Sequence, residues 1–251
     1  DMLDDVVGAE VAARAAEERL RAFLSDAAHE LRTPVAGIRA AADTLVRADL
    51  EGPERETLAA HVVREATRAS RLVDDLLLMA RVDRGLELAL TETDLRDVVT
   101  AEAERARLVH PAMAVRTRIP DAAVRVAIDR DRIAQVLSNL VENAARVTDG
   151  RGRVELGIRL SDDEVEVRVR DDGPGVPAED RERIFDRLVR LEDARTATGG
   201  VGLGLPIARG TARVHGGDVE CLPTDAGAVF VLRLPWSTTR PVQRAGRAGA
   251  A

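Results

Sequence analysis

Two apolar stripes in succession constrain this chain more than any other feature. Within a helical pattern from about residue 9 to 47, Leu24, Ala27, Leu31, Val35, Ile38, Ala42 and Leu45 recur at steps of three and four. The stretch "ADLEGPE", residues 48 to 54, carries Gly52 and Pro53 and reads as a turn. A second periodic helix follows, marked by Leu58, Val62, Ala66, Ala69, Leu72, Leu76 and Met79. Two long helices around a short connection make a helical hairpin. A single hairpin buries only a thin core, so the pattern predicts that two copies pair into a four-helix bundle.

After Arg84-Gly85 the texture changes to short strands alternating with helices. The spacing predicts strands over 86–91, 115–119, 124–128, 153–160, 164–170, 217–222 and 228–234, and helices over 95–109, 130–147 and 203–214. "RVELGIRL" and "EVEVRVR" around "SDD" alternate with period two and read as a hairpin. The fold class is α+β: a helical hairpin followed by an α/β sandwich, a sheet covered by helices on one face. The expected divisions are a linker helix over 1–22, the hairpin over 23–84, the sandwich over 85–236 and a disordered tail over 237–251.

Composition narrows the function. Aromatic residues are 2% of the 251, with no tyrosine, so the core is aliphatic. All 37 basic residues are arginine, the net charge is −7, and both signs are mixed along the chain, which argues against direct nucleic-acid binding. One cysteine, Cys221, permits neither an internal disulfide nor a thiolate metal cluster. No apolar run approaches the ~20 residues that span a bilayer. The chain starts at Asp1, as a piece of something longer would.

In "SDAAHELRTP", residues 25 to 34, His29 lies off the apolar stripe and is expected to face water or a partner. A metal site would need a second ligand one helical turn away, and only Asp26 offers one. An idle, solvated histidine and a nucleophile are the other readings. Neutral imidazole attacks through one ring nitrogen when the other holds its hydrogen against an acceptor. Glu30 is placed to be that acceptor or the general base, and Thr33, one turn on, could orient a water. Pro34 removes a backbone bond and is expected to bend the helix.

Four stretches of the second domain carry features of a phosphate-rich ligand site. In "QVLSNLVENAARVT", Asn139 and Asn143 share a helix face, and their neutral amide oxygens suit Mg²⁺ already surrounded by phosphate. In "DDGPGVP", Asp171 ends a strand and could accept from an exocyclic amine, while Gly173 and Gly175 let backbone approach a flat ligand. "RIFDRLVRLEDARTATGG" reads as a flap with Arg187, Arg190 and Arg195 as candidate phosphate contacts. In "GGVGLGLP", Gly200, Gly202 and Gly204 open a helix whose free N–H groups can hold phosphates, with Leu203 among the contacting residues. The spacing is neither the dinucleotide G-x-G-x-x-G nor the Walker pattern.

"FLSDAAHELRTPVAGI" resembles the phosphoacceptor box of the sensor histidine kinases of two-component systems. The four later stretches, in this order, resemble the N, G1, F and G2 boxes of the ATP-binding domain shared with gyrase-type topoisomerases and heat-shock-90 chaperones. The resemblance implies ATP and Mg²⁺ as ligands, with Asn143 on the metal, Asn139 beside it and Asp171 on the adenine amino group. It implies that His29 is phosphorylated with help from Glu30, and that Thr33 supports hydrolysis of an aspartyl phosphate on a response-regulator receiver domain. It also implies a homodimer, and a linker that follows a membrane-spanning segment, so that this is the cytoplasmic portion of a membrane-anchored sensor. The flap departs from the pattern, with Leu188 and Val189 where aromatics are usual. That departure keeps a degenerate scaffold in view. An ATP hydrolase of the gyrase type would want a glutamate where this chain has Asn139.

Overall fold

The computed structural model describes residues 25, 27–47, 50–83, 85–161, 163–189, 191 and 202–236. Helix α1 occupies 27–47 and runs through Pro34 without leaving helical geometry. Its inner face is Ala27, Leu31, Pro34, Ile38, Ala41 and Leu45, all buried or half-buried, at alternating steps of four and three. This corrects the predicted stripe at two places: Val35 is 55% exposed and Pro34 takes the inward position, and Ala41 is buried where Ala42 was expected. Successive residues lie ~100° apart, so hydropathy alone favoured the valine over the weakly apolar proline beside it.

Helix α2 spans Gly52–Asp83. Gly52 and Pro53 therefore open a helix and are not a separate turn; proline fits the first turn because its missing N–H has no partner there anyway. Leu72, Leu78 and Met79 are buried in one cluster with Leu203 and Ile207, and Leu31, Leu76, Val82, Leu86 and Leu188 pack against it. Ala66, expected in the stripe, is exposed. Asp75 is half-buried on α2 and its carboxyl is pushed up to about 6, first by burial, then by Asp74, with Arg71 opposing. A raised carboxyl favours the folded state when protonated, so its contribution is present below the ordinary value near 3.8 and lost as pH rises through about 6. Asp75→Asn is expected to raise the melting temperature at pH 7.5 and to leave it unchanged at pH 4, as differential scanning calorimetry would show.

Contacts divide the chain into two compact units. Leu86 and the residues before it group with Glu182–Ile207; Glu87–Arg181 groups with the residues from Ala208 onward. The predicted linker over 1–22 and tail over 237–251 lie outside the described residues. Among the described residues no helix is long and apolar enough to cross a membrane.

The second unit is built on a five-stranded sheet. Strand β1 (Thr91–Asp94) leads into helix α3 (Leu95–Val109), then β2 (Ala114–Arg118), β3 (Arg125–Ile128), helix α4 (Arg130–Val147), β4 (Arg153–Leu160) and β5 (Glu164–Asp171). Two short 3₁₀ turns, helix α5 (Gly204–Val214), β6 (Asp218–Leu222) and β7 (Val229–Pro235) follow. The sheet order is β2-β4-β5-β7-β6, with β2 parallel to β4 and every other pair antiparallel; β1 and β3 form a separate two-stranded ribbon. The strand predicted over 86–91 does not form. Pairing starts at Thr91, which opposes Ile128, the last residue of β3, so the residues before it have no strand to bond.

Alternation along the strands separates two faces. Val154, Leu156, Val165, Val167, Val169, Phe230, Leu232 and Leu234 are buried, together with Leu95, Val98 and Val99 of α3 and Ile133, Leu137, Leu140 and Val141 of α4. The opposite face is charged. Arg168 binds Glu166 at 2.6 Å, and Arg233 binds both Glu166 at 3.2 Å and Glu220 at 2.8 Å. These side chains flank Val231, which opposes Arg168 and Glu220 in the register and is fully buried.

Candidate functional site

Three consecutive features of β5 and the loop after it define the best-formed site. Asp171 is the last residue of β5 and is only 2% exposed. Its Oδ1 accepts from the backbone N–H of Gly173 at 2.9 Å and of Ala228 at 3.1 Å. Its Oδ2 is buried and has no hydrogen-bond partner among the described residues. Burial drives the carboxyl above its usual range, against the two backbone donors. A buried acceptor without a donor is costly to maintain, and an exocyclic amine of a flat ligand is the kind of group that would satisfy it.

The glycines around Asp171 make the room. Gly175 has a φ of +82°, and a Cβ there would lie 2.7 Å from the carbonyl oxygen of Gly227. A Cβ on Gly173 would meet Val147 at 2.9 Å. Gly227, at φ +70°, passes so close to the Asp171 carbonyl that any side chain would overlap it. Gly227 and Ala228 are absent from the sequence-based set. They act through backbone, and the only trace in the sequence is the turn in "TDAGAV".

Helix α4 carries the paired asparagines. Both Asn139 and Asn143 are half-buried. The Asn143 side-chain oxygen accepts from Arg146 one turn along, so a metal there would take over an acceptor that now serves a guanidinium. Asp129 caps the helix through Arg132 N–H at 3.2 Å. The backbone N–H of Asp129 donates in turn to His215 Nε2 at 3.2 Å. His110 lies 3.3 Å from Glu142, so both histidines have structural partners.

The flap and the second glycine stretch belong to the other unit. Leu188 adopts a left-handed backbone at φ +61°, rare for a branched residue, and its N–H donates to Gly202 O at 3.0 Å. A Cβ on Gly202 (φ +76°) would fall 2.9 Å from Leu188 and Val189, so this contact requires glycine. Leu203 is buried in the cluster with Leu72, Leu78 and Met79, leaving only its backbone for a ligand. Gly204 begins α5, and Arg187 is exposed. Arg190, Arg195 and Gly200 lie outside the described residues.

His29 is exposed on α1, as its position off the stripe predicts, and Thr33 is exposed on the same face. Its neighbour differs from expectation. Arg32 Nη1 sits 3.4 Å from His29 Nδ1, whereas Glu30 makes no side-chain hydrogen bond among the described residues. A guanidinium donating to Nδ1 favours the tautomer with hydrogen on Nε2. Attack through Nε2 therefore requires Arg32 to leave.

Residues 19–85 match the model for the His Kinase A (phospho-acceptor) domain, and residues 128–238 match that for histidine kinase-, DNA gyrase B- and HSP90-like ATPases. The nucleotide-free catalytic domain of histidine kinase ThkA is 30% identical, with 96% of that chain covered by 59% of this one at a TM-score of 0.52. This chain belongs to the histidine kinase family. Across more of its length, this chain is 36% identical to the sensor histidine kinase TrcS of Mycobacterium tuberculosis, over 93% of this chain and 47% of TrcS. ThkA in complex with the response regulator TrrA is 26% identical, at a TM-score of 0.69 over 88% of this chain and 63% of that one. The chain thus spans about half the length of curated relatives such as TrcS.

Proposed function

We propose that this chain is the catalytic portion of a sensor kinase that phosphorylates its own His29 from Mg-ATP and passes the phosphoryl group to an aspartate of a response-regulator receiver domain. The observation that carries the reading is the orphaned Oδ2 of Asp171 in a glycine-walled recess, an acceptor for the adenine amino group. Asn143, with Asn139 beside it, would hold Mg²⁺, which offsets the charge of the transferring phosphoryl group. Arg187, Arg190, Gly200, Gly202 and Gly204 are proposed phosphate contacts. In the transfer the His29 Nε2 lone pair bonds to the γ-phosphorus as the bond to the β–γ bridging oxygen breaks. The hydrogen then sits on Nδ1, where Glu30 can accept it once Arg32 has moved. Thr33 would orient the water that hydrolyses the receiver's aspartyl phosphate. The pairing of this fold with TrrA in the ThkA complex supports a receiver as partner.

Incubation with γ-labelled ATP and Mg²⁺ tests this reading. An acid-labile, alkali-stable label that chases to an added receiver domain is expected, and Thr33→Ala should spare labelling while slowing loss of phosphate from the receiver. Tight nucleotide binding without any label would instead fit a scaffold.

A homodimer follows from a second seam on α2. Ala59, Val63, Ala66, Ser70, Val73, Leu77 and Ala80 are all exposed and alternate at steps of four and three, about a quarter-turn round the helix from the hairpin core. Val63 is 64% exposed and Leu77 is 53% exposed, which suits burial against a second copy in a four-helix bundle. Leu77→Glu is expected to convert a dimer to a monomer in analytical ultracentrifugation at micromolar concentration. A sensor anchored in the cytoplasmic membrane, with this portion in the cytoplasm, is proposed as well; the likeness to a sensor histidine kinase of which this chain covers 47% supports a longer sensor protein.

A further inference from the structure

Two arginines without an ion pair among the described residues meet at one end of the sheet: Arg170 on β5 and Arg181, just after the first 3₁₀ turn. Arg168 and Arg233 are matched to Glu166 and Glu220, and Arg153 is matched to Asp172 at 3.0 Å. Arg170 and Arg181 have no side-chain hydrogen bond or ion pair among the described residues, and the Nε of Arg181 is buried without a partner. Both line an open cavity of about 560 Å³ with Pro223, Thr224, Asp225 and Ala226 of the β6–β7 loop. Neighbouring residues on a strand point to opposite faces. Arg170 is therefore turned away from the recess that holds Asp171 Oδ2, and the cavity is a separate place.

We propose that this cavity binds a phosphate-type oxyanion, as inorganic phosphate or the phosphate of a small ester. Each guanidinium offers a planar fork of donors that matches tetrahedral oxyanions, and two of them surround several acceptor oxygens at once. A cavity of this size accommodates a small polar molecule. The loop wall is held by its own bond, Thr224 Oγ1 donating to Ala226 O at 3.1 Å, so the rim exists before any ligand arrives. Asp225 has no ion-pair partner among the described residues, and it reduces the positive charge of the cavity without neutralising it.

The test is a titration of the whole chain with inorganic phosphate at constant ionic strength, made up with chloride. Saturating Mg-ADP occupies the Asp171 recess throughout. Amide resonances of Thr224, Asp225 and Ala226 report binding. Saturable shifts are expected in the wild-type protein, weakened at least ~10-fold in Arg170→Gln/Arg181→Gln through loss of two charge-assisted contacts. Asp225→Asn should act in the opposite sense and tighten binding about threefold by removing a repulsive charge. Because it gains affinity, that variant separates loss of the site from loss of the fold. Absence of saturable shifts up to ~10 mM phosphate, well above the millimolar level of a weak specific site, would overturn the proposal. So would an unchanged affinity in the double variant. Ribose 5-phosphate compared with phosphate then distinguishes an ester from the free ion as the preferred form.

Discussion

Replacing Asp171 by asparagine is expected to weaken adenine-nucleotide binding about a hundredfold, from one lost charge-assisted bond and one new clash of donors. The Oδ1 position must keep accepting from Gly173 and Ala228, so the asparagine amide oxygen takes that place. Its NH₂ group then occupies the position of Oδ2 and confronts the adenine amine donor to donor. The fold should not suffer. Asp171 carries a raised carboxyl, so its ionised form costs stability at neutral pH, and that cost sets in as pH climbs from the ordinary carboxyl value through the raised one. Asparagine removes it. Isothermal titration with ADP and a melting curve at pH 7.5 should show weak binding on a protein at least as stable as the wild type. Full affinity in Asp171→Asn would remove the assigned role.

Much of this could be read from the sequence because its signals were periodic. The pair "RVELGIRL" and "EVEVRVR" alternates so regularly that the predicted strands agree with β4 exactly in range and with β5 to one residue. Helices α3 and α4, predicted over 95–109 and 130–147, are observed over those ranges, each preceded by a capping aspartate, Asp94 and Asp129, whose side chains accept from Arg96 N–H and Arg132 N–H. Other features carry no such mark. Pro34 and Ala41 fill inward places on α1 although neither stands out by hydropathy beside Val35 and Ala42. Gly227 and Ala228 complete the Asp171 recess through main-chain atoms, which any sequence possesses. The left-handed backbone of Leu188 depends on its contact with Gly202, fourteen residues later in the chain, which local propensity does not contain.

The two ends of the proposed reaction were legible to different degrees for a physical reason. A phosphoacceptor must meet solvent and a partner, so His29 stands outside the hydrophobic pattern and is visible by its misplacement. A nucleotide recess is lined by backbone and by glycines, so its residues are recognised by what they lack. Arg32 against His29 Nδ1 falls between these cases: the spacing of three residues allowed the contact, while the choice between Glu30 and Arg32 as neighbour depends on side-chain rotamers.

The central claim is that His29 receives phosphate from the nucleotide held at Asp171. The most direct measurement incubates the wild-type chain and His29→Gln with γ-labelled ATP and Mg²⁺, separates protein from nucleotide, and counts label before and after acid treatment. His29→Gln keeps the helix and the exposed position, so nucleotide binding should match the wild type by calorimetry. The account predicts acid-labile label on the wild type and none above background on His29→Gln. Equal labelling of the two proteins would place the phosphate elsewhere and contradict it.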